Sequence, residues 1–184
     1  MNTLSLLFLA ALAAGLILQF WLYRRHTLHV AANRGAVPAA FAEKINLKDH
    51  QKAADYTLAK IRMGTLDLTI GALVLLVWTL GGGLELVLHS WTTSGLSPLW
   101  AGAAAMLSVF LLQGVLDLPV TLWRTFHLEE RFGFNRTTPA RFIKDLLLSL
   151  LLALVLGVPL ILALLWLMAQ AGPLWWLYAW LVWL

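Results

Sequence analysis

The sequence has no cysteine and little charge, and each absence removes classes of function. Without cysteine, the chain can form neither a disulfide framework nor a cysteine-ligated metal site. Only 12% of its 184 residues are charged, whereas soluble domains carry about 25%. None of the five histidines lies in an HExxH motif, the signature of zinc hydrolases, and there is no glycine-rich phosphate loop or GxSxG motif. The sequence by itself therefore contains no catalytic constellation.

Apolar residues make up 61% of the chain, and they occur in blocks of about 20 residues, as in transmembrane helices. The blocks cover residues 4–23, 66–88, 99–123, 146–168 and 174–184. The predicted fold is an all-α integral membrane protein, a polytopic helical bundle with four full transmembrane helices and the start of a fifth. The fifth block would be about 16 Å long, roughly half of the hydrocarbon thickness. We therefore expect residues 1–184 to be the membrane-embedded N-terminal domain of a longer protein.

The distribution of cations predicts the topology. All 13 lysines and arginines lie within residues 24–62 or 124–144. The positive-inside rule then places segments 24–65 and 124–145 in the cytoplasm and the N-terminus outside. Because the cations follow the first block, we expect a retained anchor rather than a cleaved signal peptide. The predicted location is a bacterial inner membrane, or the endoplasmic reticulum membrane of a eukaryote, and nucleic acid is not an expected partner.

Residues 39–63 interleave apolar and basic side chains, which predicts a cytoplasmic, moderately amphipathic helical segment. Two interpretations remain open for this segment, a helix on an anionic membrane surface and a helix that docks on another domain. The glycine triplet 81–83 predicts a kink or break. Prolines inside the third and fourth blocks predict bends there; they are Pro119 and Pro159.

Two acidic residues within the apolar blocks, Glu85 and Asp117, are candidates for lining a chamber. A charge in hydrocarbon costs at least about 2.5–3.5 kcal/mol, so such residues usually face a bundle interior or a hydrated cavity. The alternative is that each side chain snorkels to the membrane surface or forms a hydrogen bond with a neighbouring helix.

The stretch HLEERFGFNRTTPARF, residues 127–142, combines charges with three phenylalanines between two apolar blocks. Gly133 is placed to end a helix, and Thr138 followed by Pro139 is a typical helix start. This composition predicts either a docking surface or a well-capped loop that stabilises two helices. The candidate docking residues are Glu129, Glu130, Arg131, Phe132, Phe134, Asn135 and Arg136.

The block EERFGFN, with TTP, Phe142 and Asp145 behind it, resembles the N-terminal membrane region of M48 peptidases of the Ste24, or CAAX prenyl protease 1, type. The upstream pairs Leu118-Pro119 and Asp55-Tyr56 resemble the same pattern at the same relative places. The resemblance implies a seven-helix membrane protease with a hydrated chamber. It implies zinc bound by HExxH and a downstream glutamate, both beyond this chain, so that the chain alone is inactive.

The expected partners are the lipid bilayer, a peptide or CaaX-type protein substrate, and the protein's own C-terminal catalytic domain, on which the docking residues would pack. One alternative is a non-enzymatic membrane scaffold. Another is an intramembrane glutamate protease of the type II CAAX group, whose EExxxR pattern would begin at Glu129. That pattern requires arginine at position 134, where this chain has Phe134.

Overall fold

The computed structural model describes residues 2–183, with side chains for residues 2–180. Within that range the chain is helical and has no strand. Its helices are α1 (Thr3–Asn33), α2 (Leu47–Thr79), α3 (Gly83–Thr92), α4 (Pro98–Trp123), α5 (Glu130–Phe132), α6 (Pro139–Gln170) and α7 (Trp175–Trp183). Four helical stretches are long and apolar enough to cross a membrane: Thr3–Asn33, Leu47–Thr79, Pro98–Phe132 and Pro139–Gln170. The predicted all-α, polytopic membrane fold is confirmed.

The chain divides into two compact units. The first unit comprises residues 1–81 and 120–135, and the second comprises residues 82–119 and 136–184. In the first unit, Met63, Leu128 and Phe132 form a buried apolar core. Helices α1 and α2 pack closely at Gly64, where an added Cβ would lie 3.0 Å from the Tyr23 hydroxyl. Glycine at this position therefore lets the two helices approach each other.

The second unit has its own packing contacts. The Trp91 ring nitrogen of α3 donates a hydrogen bond to the Ser108 hydroxyl of α4 at 2.9 Å. On α4, an added Cβ at Gly102 would lie 3.3 Å from a methyl carbon of Leu165 on α6. A polar contact and a small-residue contact thus connect α3, α4 and α6, as is common in membrane bundles.

The second apolar block, residues 66–88, is divided between two helices, α2 and α3. Helix α2 runs without interruption from Leu47 to Thr79, so residues 47–63 of the amphipathic segment and residues 66–79 of the apolar block belong to one helix. No proline lies between these residues, and the change from polar to apolar side chains does not itself break a helix. The predicted break occurs at the glycine triplet, where Gly82 has a φ of 76° and precedes α3.

The predicted ends of the connector are confirmed. Gly133 follows α5 with a φ of 77°, a left-handed conformation that glycine adopts without a Cβ clash. The Thr138 side chain accepts a hydrogen bond from the Arg141 N–H at the start of α6, and Pro139 occupies the first turn. Between α4 and α5, residues 124–129 form a π-helix, whose wider turn was not predicted.

Candidate functional site

Tyr56 joins α2 to the connector within the first unit. Its hydroxyl donates a hydrogen bond to the Glu129 carboxylate, with O–O distances of 2.7 and 3.0 Å. Its ring packs edge-on against Phe132, with centroids 5.2 Å apart, and tilted against Phe134, with centroids 4.7 Å apart. Because hydrogen bonds to a carboxylate are stronger than neutral ones, Tyr56 fixes both the polar and the aromatic parts of the connector.

The two connector phenylalanines have different environments. Phe132 is 8% exposed and belongs to the buried core with Met63 and Leu128. Phe134 is 54% exposed, although one side of its ring packs on Tyr56. The Lys52 ammonium lies 5.7 Å from the centroid of the Phe134 ring, within the range of a cation–π contact. Phe132 therefore packs within this chain, whereas much of the Phe134 surface is open.

Backbone hydrogen bonds hold the turn that separates these two rings. The Glu129 carbonyl accepts bonds from the N–H groups of Phe134 at 2.9 Å and Asn135 at 3.2 Å. The Glu130 carboxylate accepts a further bond from the Asn135 side-chain amide at 2.9 Å. These bonds set the conformation of the connector around Gly133, and the phenylalanine exposed there sits on a well-defined backbone.

The structure brings together six of the seven candidate docking residues, from Glu129 to Asn135, in the first unit. Among them, Glu130, Arg131 and Phe134 are exposed, and the Arg131 guanidinium lies 5.7 Å from the Phe132 ring centroid. Arg136 is exposed and falls in the second unit. Docking of these residues on another domain stays a prediction.

Two residues at the end of α1 contact α2, and sequence reasoning did not identify either. The Arg34 guanidinium binds the Asp55 carboxylate through two hydrogen bonds of 2.7 and 2.8 Å. The hydrogen bond and the charge of Asp55 together raise the pKa of Arg34 above its usual value. Five residues earlier on α2, a ring nitrogen of His50 lies 2.9 Å from the Asn33 carbonyl oxygen. The same region of α2 that holds the connector thus also holds the end of α1.

The two chamber candidates are both exposed in this chain. Glu85 lies in the first turn of α3, directly after the glycine break, where free backbone N–H groups favour a negative charge. Asp117 accepts a hydrogen bond from the Gln113 side chain within α4 at 3.1 Å. A chamber-lining role for either residue stays a prediction.

The described residues do not fit a zinc site. No group of three or more His, Asp or Glu side chains comes together among them in a way that could hold a metal ion. A structural or catalytic zinc site needs at least three protein ligands. No catalytic step can therefore be assigned to a metal bound by the part of the chain that the structure describes.

Comparison with known proteins gives a family and a fold. Residues 26–184 match the family model described as CAAX prenyl protease N-terminal, five membrane helices. A CAAX prenyl protease 1 homolog of Caenorhabditis elegans is 28% identical over 182 residues, covering 96% of this chain and 40% of the relative. A homolog of Dictyostelium discoideum is 29% identical over 160 residues, covering 82% of this chain and 36% of the relative.

The crystal structure of S. mikatae Ste24p has a TM-score of 0.85 to this chain at 22% sequence identity. The match covers 94% of this chain and 41% of that protein, and at this identity it shows the fold. This chain therefore spans about two fifths of the length of these relatives.

Proposed function

We propose, from the premise that this chain belongs to the CAAX prenyl protease N-terminal family, that it is the membrane-embedded domain of a zinc metalloendopeptidase. The family match over residues 26–184 carries the proposal. In this proposal the helices form part of a chamber around a catalytic site that lies C-terminal to residue 184. The substrate is a CaaX-type or membrane-associated polypeptide, and the reaction is hydrolysis of a peptide bond. Zinc and its ligands belong to the remainder of the protein.

The connector has a docking role in this proposal. Its exposed residues, which are Glu130, Arg131, Phe134 and Arg136, contact the protein's own catalytic domain. Beneath them, Phe132 and the Tyr56–Glu129 hydrogen bond hold the connector on α2. The difference in exposure between Phe132 and Phe134 supports this arrangement, because an aromatic ring left half open on a fixed turn offers apolar area to a partner.

A zinc and activity measurement tests the protease proposal. The product of the complete reading frame is expected to hold about one zinc per chain and to hydrolyse a peptide, with loss of both after treatment with a chelator. Residues 1–184 alone are expected to hold no stoichiometric zinc and to cleave nothing. Zinc content is measured by elemental analysis and hydrolysis with a quenched fluorescent peptide. A complete protein without zinc-dependent hydrolysis would favour the non-enzymatic scaffold. One tightly held zinc on residues 1–184 would contradict the proposal that the zinc ligands lie in the remainder of the protein.

Cysteine labelling of residues 1–184, which contain no cysteine, tests the proposed topology without background. Single cysteines at Ala32 and Ala140 are expected to react with an impermeant maleimide from the cytoplasmic side. Cysteines at Ser94 and Gln170 are expected to react from the opposite side. All four positions are exposed, so accessibility depends on the side of the membrane. Labelling of Ala32 and Ser94 positions from the same side would rule out this topology, whether the membrane is the bacterial inner membrane or the endoplasmic reticulum.

A further inference from the structure

Most lysines and arginines of the described residues form no salt bridge. Among the described residues, only three of the 13 lysines and arginines form salt bridges: Arg34 with Asp55, Arg124 with Asp67, and Arg141 with Asp145. Four of the unpaired cations lie where the apolar runs of two helices end. Arg24 and Arg25 follow the first apolar run on α1, and Lys60 and Arg62 precede the apolar run on α2. All four are exposed.

The contact between Tyr23 and Gly64 places these four cations in one layer. Tyr23 on α1 packs at Gly64 on α2, so the two residues lie at the same height. The polar residues of α1 follow Tyr23 in the chain, and the polar residues of α2 precede Gly64. Both polar segments therefore lie on the same side of this contact. With a rise of 1.5 Å per residue, Arg25 and Arg62 lie about 3 Å beyond the contact, and Lys60 about 6 Å. The headgroup region on one side of a bilayer is of this thickness, about 5–8 Å.

An aromatic residue marks the membrane side of the same layer. The Arg25 guanidinium carbon lies 4.8 Å from the centroid of the Trp21 ring, a cation–π distance. Tryptophan concentrates at the membrane–water boundary, so Trp21 is expected to lie at the edge of the hydrocarbon with Arg25 above it. The nearby carboxylate of Asp67 is already bound by Arg124 at 2.8 Å. The net charge of the layer is therefore positive, and its guanidinium groups suit phosphate oxygens.

We propose that the layer formed by Arg24, Arg25, Lys60 and Arg62 is a binding surface for the headgroups of anionic phospholipids. Because residues two apart on a helix point to different faces, the cations are distributed around the helix pair and contact separate headgroups. A phosphate group bound there would neutralise charge that no carboxylate of the described residues neutralises. The surface adjoins the connector, because the Lys60 ammonium lies 5.4 Å from the centroid of the Tyr56 ring. Lys52, which contacts Phe134, lies about 12 Å along α2 from Lys60 and about 15 Å from Arg62. Binding of lipid at this surface does not depend on proteolysis.

Lipid selectivity of the complete protein, reconstituted in phosphatidylcholine bilayers, tests this surface. Electron paramagnetic resonance measures how strongly spin-labelled phosphatidylglycerol and spin-labelled phosphatidylcholine associate with the protein. We expect a preference for phosphatidylglycerol of roughly fivefold, comparable to the attraction of one cation to an anionic surface. The preference is expected to weaken at high ionic strength, because salt screens exposed charges. Equal association of the two lipids would overturn the proposal.

Matched variants test whether this layer is the source of the preference. R25Q/R62Q is expected to remove most of the phosphatidylglycerol preference, while R25K/R62K keeps it because the charge is retained. K44Q/K48Q removes the same charge from exposed positions farther from the apolar run and is expected to keep the preference. Circular dichroism checks that each variant is folded, and the single variants R25Q and R62Q replace R25Q/R62Q if the double variant loses helix. Equal losses in R25Q/R62Q and K44Q/K48Q would show a general charge effect and would overturn the assigned surface.

Discussion

Replacing Phe132 with alanine is expected to lower the free energy of unfolding of this chain by about 3–5 kcal/mol, the range for truncating a buried phenylalanine. Phe132 is only 8% exposed and packs with Met63 and Leu128. Its ring also contacts Tyr56, so the truncation removes core packing and an aromatic pair together. The loss is measured by titrating the purified chain from mild detergent into dodecyl sulfate, with circular dichroism as the signal.

Phe134→Ala is the matched control for this measurement. The two residues are separated only by Gly133, and the same atoms are removed in each variant. Since Phe134 is 54% exposed, its truncation in this chain is expected to cost much less than that of Phe132. A loss below about 1 kcal/mol for Phe132→Ala, or equal losses for the two variants, would contradict the assignment of Phe132 to a core.

The fold class was predictable because it depends on composition over long windows. Apolar blocks of about 20 residues have few stable alternatives to membrane helices. The ends of the connector were predictable because they follow local rules: Gly133 adopts a positive φ, and Thr138 supplies a side-chain cap. The continuity of α2 was missed because a change from basic to apolar residues was interpreted as a boundary, although nothing there interrupts the backbone.

The contacts of the candidate site were not predictable from periodicity. Tyr56 and Glu129 are 73 residues apart, and no pattern in one sequence encodes that pairing. The only available signal was the resemblance, which included the pair Asp55-Tyr56 and the block EERFGFN without indicating that they touch. The letters FGF likewise do not show that one ring is buried and the other open. That difference arises because the left-handed turn at Gly133 leaves only Phe132 packed in the core.

Phe134 gives the second large expected effect, and it depends on the proposed docking. About half of this ring is open in the chain, and burying a whole phenylalanine contributes about 1.5–3 kcal/mol. Covering the open half would therefore contribute about 1 kcal/mol, which changes a docking equilibrium roughly fivefold. The Lys52 contact and the backbone bonds of the turn hold the ring in place beforehand, so little ordering cost opposes docking.

Phe134→Ala in the complete protein is thus expected to increase cleavage by an added protease at the junction with the catalytic domain and to reduce hydrolytic activity several-fold. In residues 1–184 alone, the same change should leave helicity unaltered and lower the free energy of unfolding only by the contribution of the Tyr56 and Lys52 contacts, about 1 kcal/mol. Phe41→Ala is the control in both proteins, since Phe41 is 53% exposed, close to the 54% of Phe134, and lies outside the connector. If Phe134→Ala destabilises both proteins equally, the ring serves packing within this chain. If it changes the complete protein no more than Phe41→Ala does, the catalytic domain does not contact it. Only a defect that is larger in the complete protein than in residues 1–184, and absent for Phe41→Ala, fits docking through Phe134.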